Sequence, residues 1–120
     1  MHILLADDDE SIALVTRLGL CRAGFTVTIV DDGRAALRAA YETAFDALLL
    51  DWNMPSLDGI DVCRRLHGDP AWQRAPILFL TGATHAAAEQ EARAAGARGV
   101  IFKPFDPTTI GERVRALLAI

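Results

Sequence analysis

Asp51 directly follows a run of four apolar residues, Ala47 to Leu50, and the chain turns soon afterwards at Met54-Pro55. Such a run predicts a buried strand, which would place one carboxylate at the rim of an apolar sheet. Taking a charge out of water is unfavourable unless the charge is paired or coordinates a metal. We therefore expect Asp51 to have a partner or a chemical role.

Other polar residues stand at the same point of other predicted strands. Asp7 and Asp8 come directly after the first apolar run, Thr81 after the fourth and Lys103 after the fifth. Strands that alternate with helices form a parallel sheet, so their carboxyl ends share one edge. We expect these side chains to converge with Asp51 at that edge.

The three carboxylates restrict the chemistry of this edge, because clustered acids repel one another and would take up protons unless a cation joined them. Oxygen donors without a nearby thiol or imidazole suit Mg²⁺, or Mn²⁺, rather than zinc. With Asp7 and Asp8 on the metal, Asp51 would be free to attack phosphorus as a nucleophile. Lys103 and Thr81 would stabilise the phosphoryl charge. The pattern predicts metal-assisted phosphoryl transfer.

Each of these signals taken alone also has a purely structural interpretation. An acid after a strand is most often a helix N-cap, and this holds for Asp8 or Asp9. Asp51 alone could be a turn residue, and Thr81 and Lys103 alone are ordinary strand ends. It is their shared position at one sheet edge that favours a functional site.

Five strand signals alternate with five helix signals, which predicts an α/β fold with a parallel sheet covered on both faces. The predicted strands are residues 3–6, 27–30, 47–50, 77–80 and 100–102. The predicted helices are residues 11–23, 33–42, 59–67 and 84–95, with a last helix that Asp106 caps and Pro107 opens.

Length and composition fit one compact domain over residues 1–120. A hydrophobic fraction of 52% argues against disorder, and a net charge of −4 with scattered arginines argues against direct nucleic-acid binding. No apolar run is long enough to cross a membrane, and the N-terminus lacks the basic flank of a signal peptide. Cys21 and Cys63 form no CxxC pair, so we expect reduced thiols and a cytoplasmic location.

The polar motifs together resemble those of the receiver domain of response regulators in two-component signalling. They are Leu5-Ala6-Asp7-Asp8, Leu50-Asp51-x-x-Met54-Pro55-x-x-Asp58-Gly59, Leu80-Thr81-Gly82 and Lys103-Pro104-Phe105. The likeness extends from residue 3 to about residue 118. It implies a flavodoxin-like, doubly wound sheet of five parallel strands in the order 2-1-3-4-5, with five helices.

The resemblance implies a role and partners for Asp51. A phosphohistidine on a histidine kinase or a histidine phosphotransfer protein would donate its phosphoryl group to this residue. The protein would then be a signalling switch that catalyses its own phosphorylation and dephosphorylation. A homodimer and an attached output domain both stay open, and neither a membrane nor direct nucleic-acid contact is expected.

The resemblance also implies a magnesium site and two residues that contact the phosphoryl oxygens. The implied metal ligands are Asp7, Asp8, Asp51 and the backbone carbonyl of Asn53. Thr81 and Lys103 would contact the phosphoryl group. A cis Lys103-Pro104 peptide bond is typical of the family, and proline makes the cis form accessible.

One position departs from the family pattern, and two rival functions need to be weighed. Receivers commonly carry Tyr or Phe three residues before the lysine, whereas this chain has Val100, which puts the usual read-out in question. A haloacid-dehalogenase-like phosphatase also forms an aspartyl phosphate, but it would have an acid where Asn53 stands. An atypical receiver that binds partners without phosphate is the third hypothesis, and the complete set of acids, Thr81 and Lys103 argues against it.

The first predicted helix has apolar residues on two sides. One stripe consists of Ile12, Val15, Thr16, Gly19, Leu20 and Ala23. Leu14, Leu18 and Cys21 form the other, and only one stripe can face the sheet. We expect Leu14 and Leu18 to be exposed, either as isolated apolar surface residues or as a contact surface for a phosphodonor helix or a second receiver.

Overall fold

A computed structural model of the chain describes residues 1–82 and 87–119, which form five strands and five helices in alternation. The strands are β1 (His2–Ala6), β2 (Thr26–Val30), β3 (Ala47–Leu50), β4 (Ile77–Thr81) and β5 (Gly99–Phe102). The helices are α1 (Glu10–Arg22), α2 (Gly33–Glu42), α3 (Gly59–His67), α4 (Ala88–Ala94) and α5 (Ile110–Leu118). The predicted α/β alternation is confirmed.

The strands are all parallel and lie in the order β2-β1-β3-β4-β5, which confirms the doubly wound order that the resemblance implied. In the register of the two strands at the point of reversal, Ala6 pairs with Leu50. The residues that follow them, Asp7 and Asp51, therefore lie side by side at the carboxyl edge. Ligands bind at this edge of α/β folds, where the strand order reverses.

Side chains of the sheet alternate between two hydrophobic clusters, one on each face. In β3, Leu48 and Leu50 join the cluster beneath α2, α3 and α4, whereas Leu49 joins the cluster beneath α1 and α5. All three are at most 1% exposed, and burying each side chain stabilises the fold by about 2 kcal/mol. This packing fixes β3 and, with it, the backbone that carries Asp51.

The start of the last helix differs from the sequence prediction, and the predicted start of the fourth helix is not described. The last helix, α5, begins at Ile110 instead of near Pro107, because the Asp106 carboxylate accepts hydrogen bonds from Thr108 and caps a preceding turn. Helix α4 begins at Ala88, and the predicted start at Thr84 lies outside the described residues. In the part of the chain that is described, no helix has the length and apolar character to span a membrane.

The buried face of α1 is shifted from the predicted stripe. Val15 was assigned to the inner face and is 45% exposed, while Ala13 takes an inner position instead. Further along the same stripe, Gly19 packs against Pro107 and Ile110 at distances that leave no room for a side chain, so α1 is held closely there. Leu14 and Leu18 are 46% and 53% exposed, as predicted.

Candidate functional site

Asp51 stands just beyond β3 on a tightly held backbone. Its N–H donates to the carbonyl of Ala6 in β1 at 2.8 Å. A side chain at Gly59 would overlap the Asp51 carbonyl, so a glycine is needed for α3 to begin this close to the strand end. Asp51 is 8% exposed. Its carboxylate therefore projects from a fixed position at the edge of the sheet and is largely shielded from solvent.

Asp7 and Asp8 lie beside Asp51, after β1. Asp7 is 1% exposed and its Oδ1 accepts the N–H of Asp9 at 2.9 Å, whereas Asp8 is exposed. One oxygen from each of Asp7, Asp8 and Asp51 lies within 4.8 Å of the others. Carboxylate oxygens at this spacing fit Mg²⁺, which prefers oxygen donors and retains several waters.

Lys103 extends across the edge to both buried acids. Its Nζ lies 3.0 Å from Asp7 Oδ2 and 3.2 Å from Asp51 Oδ2. The position is set by β4 and β5, since the Lys103 N–H donates to the Thr81 carbonyl at 2.8 Å. The Lys103-Pro104 peptide bond that follows is cis, as the resemblance implied. One ammonium thus bridges two carboxylates that would otherwise repel each other.

Burial and charge act on this group in opposite directions. Burial raises the pKa of Asp51, the ammonium of Lys103 opposes that rise, and the charge of Asp7 adds to it. Burial would lower the pKa of Lys103, but the hydrogen bond and the charges of the two acids outweigh it, so the net direction is upward. Lys103 therefore stays protonated. Three acids facing one ammonium leave an excess of negative charge, which favours a further cation.

Thr81 and Asn53 complete the set of residues that the sequence assigned to this edge. Thr81 ends β4 and is fully buried, and the following Gly82 has no described atom within 4 Å of where a Cβ would stand. Among the described residues, nothing packs against this side of the backbone directly after Thr81. Asn53 lies two residues past Asp51 and is exposed. The structure thus brings Asp7, Asp8, Asp51, Thr81 and Lys103 to one edge, as the sequence predicted.

Two grooves give access to this edge from either side of α1. One, of about 640 Å³, opens beside Asp7 and Asp8 and runs between α1 and the end of β2. The other, of about 420 Å³, lies between α1 and the segment Lys103 to Phe105 and is mainly apolar. A side chain from another protein can therefore approach the acids without rearrangement of the sheet.

Val100, which stands where receivers commonly have Tyr or Phe, is a buried residue of β5. Val100 is 7% exposed and packs in the cluster under α3 and α4. Phe102, two residues further along β5, projects from the same face of the sheet and is 39% exposed. An aromatic side chain is thus present on this face, at a position that the sequence reasoning did not single out.

Comparison with known proteins shows the family. Residues 3–115 match the model of the response regulator receiver domain. The DNA-binding response regulator MtrA of Mycobacterium tuberculosis is 40% identical over 117 residues, which are 98% of this chain and 50% of that protein. The phosphate regulon transcriptional regulatory protein PhoB of Rhizobium meliloti is 34% identical, with 97% and 51% covered. The chain spans about half the length of these curated relatives.

Solved structures are similar over nearly the whole chain. The chemotaxis response regulator CheY4 of Vibrio cholerae has a TM-score of 0.88 at 34% identity and is covered over 97% of each chain. A putative response regulator from Chloroflexus aurantiacus has a TM-score of 0.89 at 34% identity, with 99% of this chain and 98% of that chain covered. The chain belongs to the response regulator receiver domain family, whose members are phosphorylation-controlled modules of two-component signalling.

Proposed function

We propose that Asp51 is the phosphoacceptor of this receiver. The observation that carries the proposal is its buried carboxylate, held beside Asp7 and 3.2 Å from the ammonium of Lys103. In the transfer, an oxygen of Asp51 attacks phosphorus, the bond between phosphorus and the donor's imidazole nitrogen breaks, and that nitrogen retains the electron pair. With a proton on its other ring nitrogen, the imidazole leaves as neutral histidine, and Asp51 becomes an aspartyl phosphate.

Asp7, Asp8, Asp51 and the Asn53 carbonyl would hold Mg²⁺. The support for this is the donor set, which offers only oxygens and carries an excess of negative charge. When bound, the ion supplies positive charge that neutralises the phosphoryl oxygens during transfer. Mn²⁺ has the same oxygen preference and is expected to substitute for it.

Lys103 and Thr81 would act on the phosphoryl group after transfer. The Lys103 ammonium already reaches Asp51, so it can pair with the new phosphoryl oxygens and stabilise their charge. Thr81 is buried at the end of the neighbouring strand β4, and Gly82, which follows it, has no side chain to obstruct a phosphoryl group. Movement of these two residues toward the phosphoryl group is the change that partners would detect.

The phosphodonor is expected to be a histidine kinase or a histidine phosphotransfer protein in the cytoplasm. Residues 1–120 would form one receiver domain. The two named relatives are called a DNA-binding response regulator and a transcriptional regulatory protein, so we propose a DNA-binding output domain as the module that this receiver controls. The receiver itself has a net charge of −4, which argues against its binding nucleic acid directly. Formation of a homodimer on phosphorylation is a second way in which the signal could be transmitted.

The test is phosphorylation by a small donor. The chain is incubated with acetyl phosphate or beryllofluoride and Mg²⁺, and intact mass and tryptophan fluorescence are followed, because Trp52 adjoins Asp51. We expect an Mg²⁺-dependent gain of one phosphoryl group that Asp51→Asn abolishes. Asp58→Asn is the matched control, since this acid lies exposed in the same turn without a side-chain capping bond.

Other outcomes identify the rival functions. Rapid turnover of many phosphomonoesters would point to a phosphatase. Absence of any response in the wild type, both to acetyl phosphate and to the phosphoryl mimic beryllofluoride, would reject phosphoacceptor chemistry and favour an atypical receiver. Phosphorylation that persists in Asp51→Asn would place the acceptor elsewhere.

A further inference from the structure

The turn after Asp51 contains a strained residue. Ser56 has a φ of 66°, in the left-handed region that residues other than glycine seldom adopt. The Leu57 N–H donates to the Pro55 carbonyl at 2.9 Å across Ser56, which closes a γ-turn of the rare type with positive φ. Such a conformation persists only where surrounding contacts hold it.

The contacts that hold this turn come from the first turn of α2. The Gly33 N–H donates to the Pro55 carbonyl at 3.1 Å, and the Arg34 N–H donates to Ser56 Oγ at 3.1 Å. The Ser56 hydroxyl in turn donates to Asp32 Oδ1 at 3.2 Å. The same Asp32 oxygen accepts the Ala35 N–H at 2.8 Å as the N-cap of α2. One carboxylate therefore joins the helix cap to the turn.

Steric fit reinforces this junction, because a side chain at Gly33 would overlap the Leu57 carbonyl and Cβ. The other end of the turn is closed by the Gly59 N–H, which donates to the Trp52 carbonyl at 2.8 Å. The segment is thus fixed at its base beside β3 and at its tip on α2. Asn53, whose carbonyl belongs to the proposed ligand set, lies in the chain between these two attachments.

We propose that Asp32 and Ser56 are positioning residues for the metal site: by holding the turn on α2, they aim the Asn53 carbonyl at the carboxylates of Asp7 and Asp51. This inference rests on the proposed function and extends it to residues outside the acid cluster. Asp32 and Ser56 do not touch the phosphoryl group or the metal. They act through the backbone of residues 53 to 55, as supporting partners of a metal ligand do.

The decisive variant is Ser56→Gly, which removes the hydroxyl and its two hydrogen bonds. Glycine accepts positive φ without strain, so the turn itself gains rather than loses backbone freedom and the fold is retained. We expect the Mg²⁺ half-saturation concentration, followed by tryptophan fluorescence of the full chain, to rise about tenfold. The acetyl phosphate reaction should slow at low Mg²⁺ and recover at saturating Mg²⁺, because the acceptor and Lys103 are intact.

Two further variants separate positioning from general stability. Asp32→Ala removes the acceptor and should also weaken Mg²⁺ binding, whereas Asp32→Asn keeps an oxygen acceptor for Ser56 and Ala35 and should restore it. Asp69→Ala is the matched control: Asp69 also caps an exposed turn, through the Ala71 N–H, but stands before β4 at the opposite edge of the sheet. Its Mg²⁺ titration should match the wild type.

The outcomes distinguish this inference from the proposed function. Wild-type Mg²⁺ half-saturation in Ser56→Gly would overturn the positioning role while leaving phosphorylation at Asp51 intact. A slowed reaction that saturating Mg²⁺ does not restore would overturn it too, because the defect would then lie outside metal binding. A wild-type chain that shows no Mg²⁺-dependent reaction would reject the proposed function and this inference with it. If Asp32→Ala fails to fold, Ser56→Gly alone decides.

Discussion

The two edges of the sheet each contain an aspartate with a close polar partner, yet the two pairs differ in character. At the carboxyl edge, Asp51 is buried beside another acid and paired with Lys103 at 3.2 Å. At the opposite edge, Asp69 lies in the loop after α3 and accepts the hydroxyl of Tyr41 at 2.6 Å, in an exposed pair. The residue type is the same and the shorter bond belongs to the exposed pair, so neither residue type nor bond length separates a site from a turn.

Burial and neighbouring charge make the difference, and the pKa shifts reflect it. Burial raises the pKa of Asp51, so its ionised form is held against a penalty. The hydrogen bonds from Tyr41 and the Ala71 N–H lower the pKa of Asp69, so its ionised form is favoured. A positive charge near Asp51 therefore favours its ionised form against burial, whereas Asp69 has hydrogen-bond donors that already favour its ionised form.

The largest expected difference between the edges is in metal affinity. Asp7→Asn removes a charged ligand from the acid cluster. We expect the Mg²⁺ concentration at half-saturation to rise about a hundredfold, because loss of a ligand should cost at least as much affinity as the largest losses caused by changing a residue that only supports a ligand. Asp69→Asn should leave it unchanged. The measurement is an Mg²⁺ titration of tryptophan fluorescence. Equal effects of the two substitutions would contradict the assignment of the acid cluster as the metal site.

The next effect is on stability. Lys103→Met leaves Asp7 and Asp51 buried without the ammonium that they share. In metal-free buffer we expect the free energy of unfolding to fall by about 2 kcal/mol, a value between those for surface ion pairs and for buried ion pairs. Mg²⁺ should restore much of this loss, since it supplies the missing positive charge. Urea denaturation with and without Mg²⁺ measures both. A loss that Mg²⁺ does not reduce would argue against shared occupancy of the edge by Lys103 and the ion.

Asp51→Asn should have a smaller effect of opposite sign. The pKa of Asp51 is higher in the folded protein than in the unfolded chain. Protonated Asp51 therefore contributes its full stability at a pH below the unfolded-state pKa, and this contribution is lost as pH rises through the folded-state pKa. At pH 7 without metal, the amide should therefore be more stable by about 1 kcal/mol. The gain should vanish as pH falls and Asp51 is protonated. Urea denaturation across acidic to neutral pH tests this.

Asp69→Asn should show the reverse pH dependence. Its lowered pKa provides stability above the unfolded pKa, which is lost as pH falls through the folded pKa. The substitution should remove that contribution at neutral pH and make no difference in strong acid. If both variants changed with pH in the same direction, burial would not be what distinguishes the two edges.

The smallest expected effect is that of Tyr41→Phe. This change removes the exposed hydrogen bond to Asp69 but keeps the ring. The loop should stay in place, because Trp72 is 5% exposed and its Nε1–H donates to the Ala40 carbonyl at 3.1 Å. We expect a slightly lower melting temperature and an unchanged Mg²⁺ titration. A clear change in metal affinity would show that the two edges are coupled.

Local pattern predicted most of the elements because each depends on nearby residues. The strand over Ala47–Leu50 has the predicted bounds, since an apolar run between turns needs no distant information. The predictions failed where distant packing decides. Val15 is 45% exposed although it lies on the stripe that periodicity turns toward the sheet, whereas Gly19 on that stripe is packed against Pro107 and Ile110. The start of α5 at Ile110 depends on how Asp106 uses its carboxylate, which a sequence pattern does not specify.

By itself, the sequence determined which chemistry is present: acids after the first and third strands, a threonine after the fourth and a lysine after the fifth. It also determined that these residues share one edge, because βα alternation makes the sheet parallel. Only the tertiary structure decided the pairing. Lys103 bridges Asp7, 96 residues away, and Asp51, 52 residues away, because strand order and register are long-range properties. For the same reason, the sequence did not indicate a role for Ser56. Its hydrogen bonds depend on α2 lying against a turn that is distant from it in the chain.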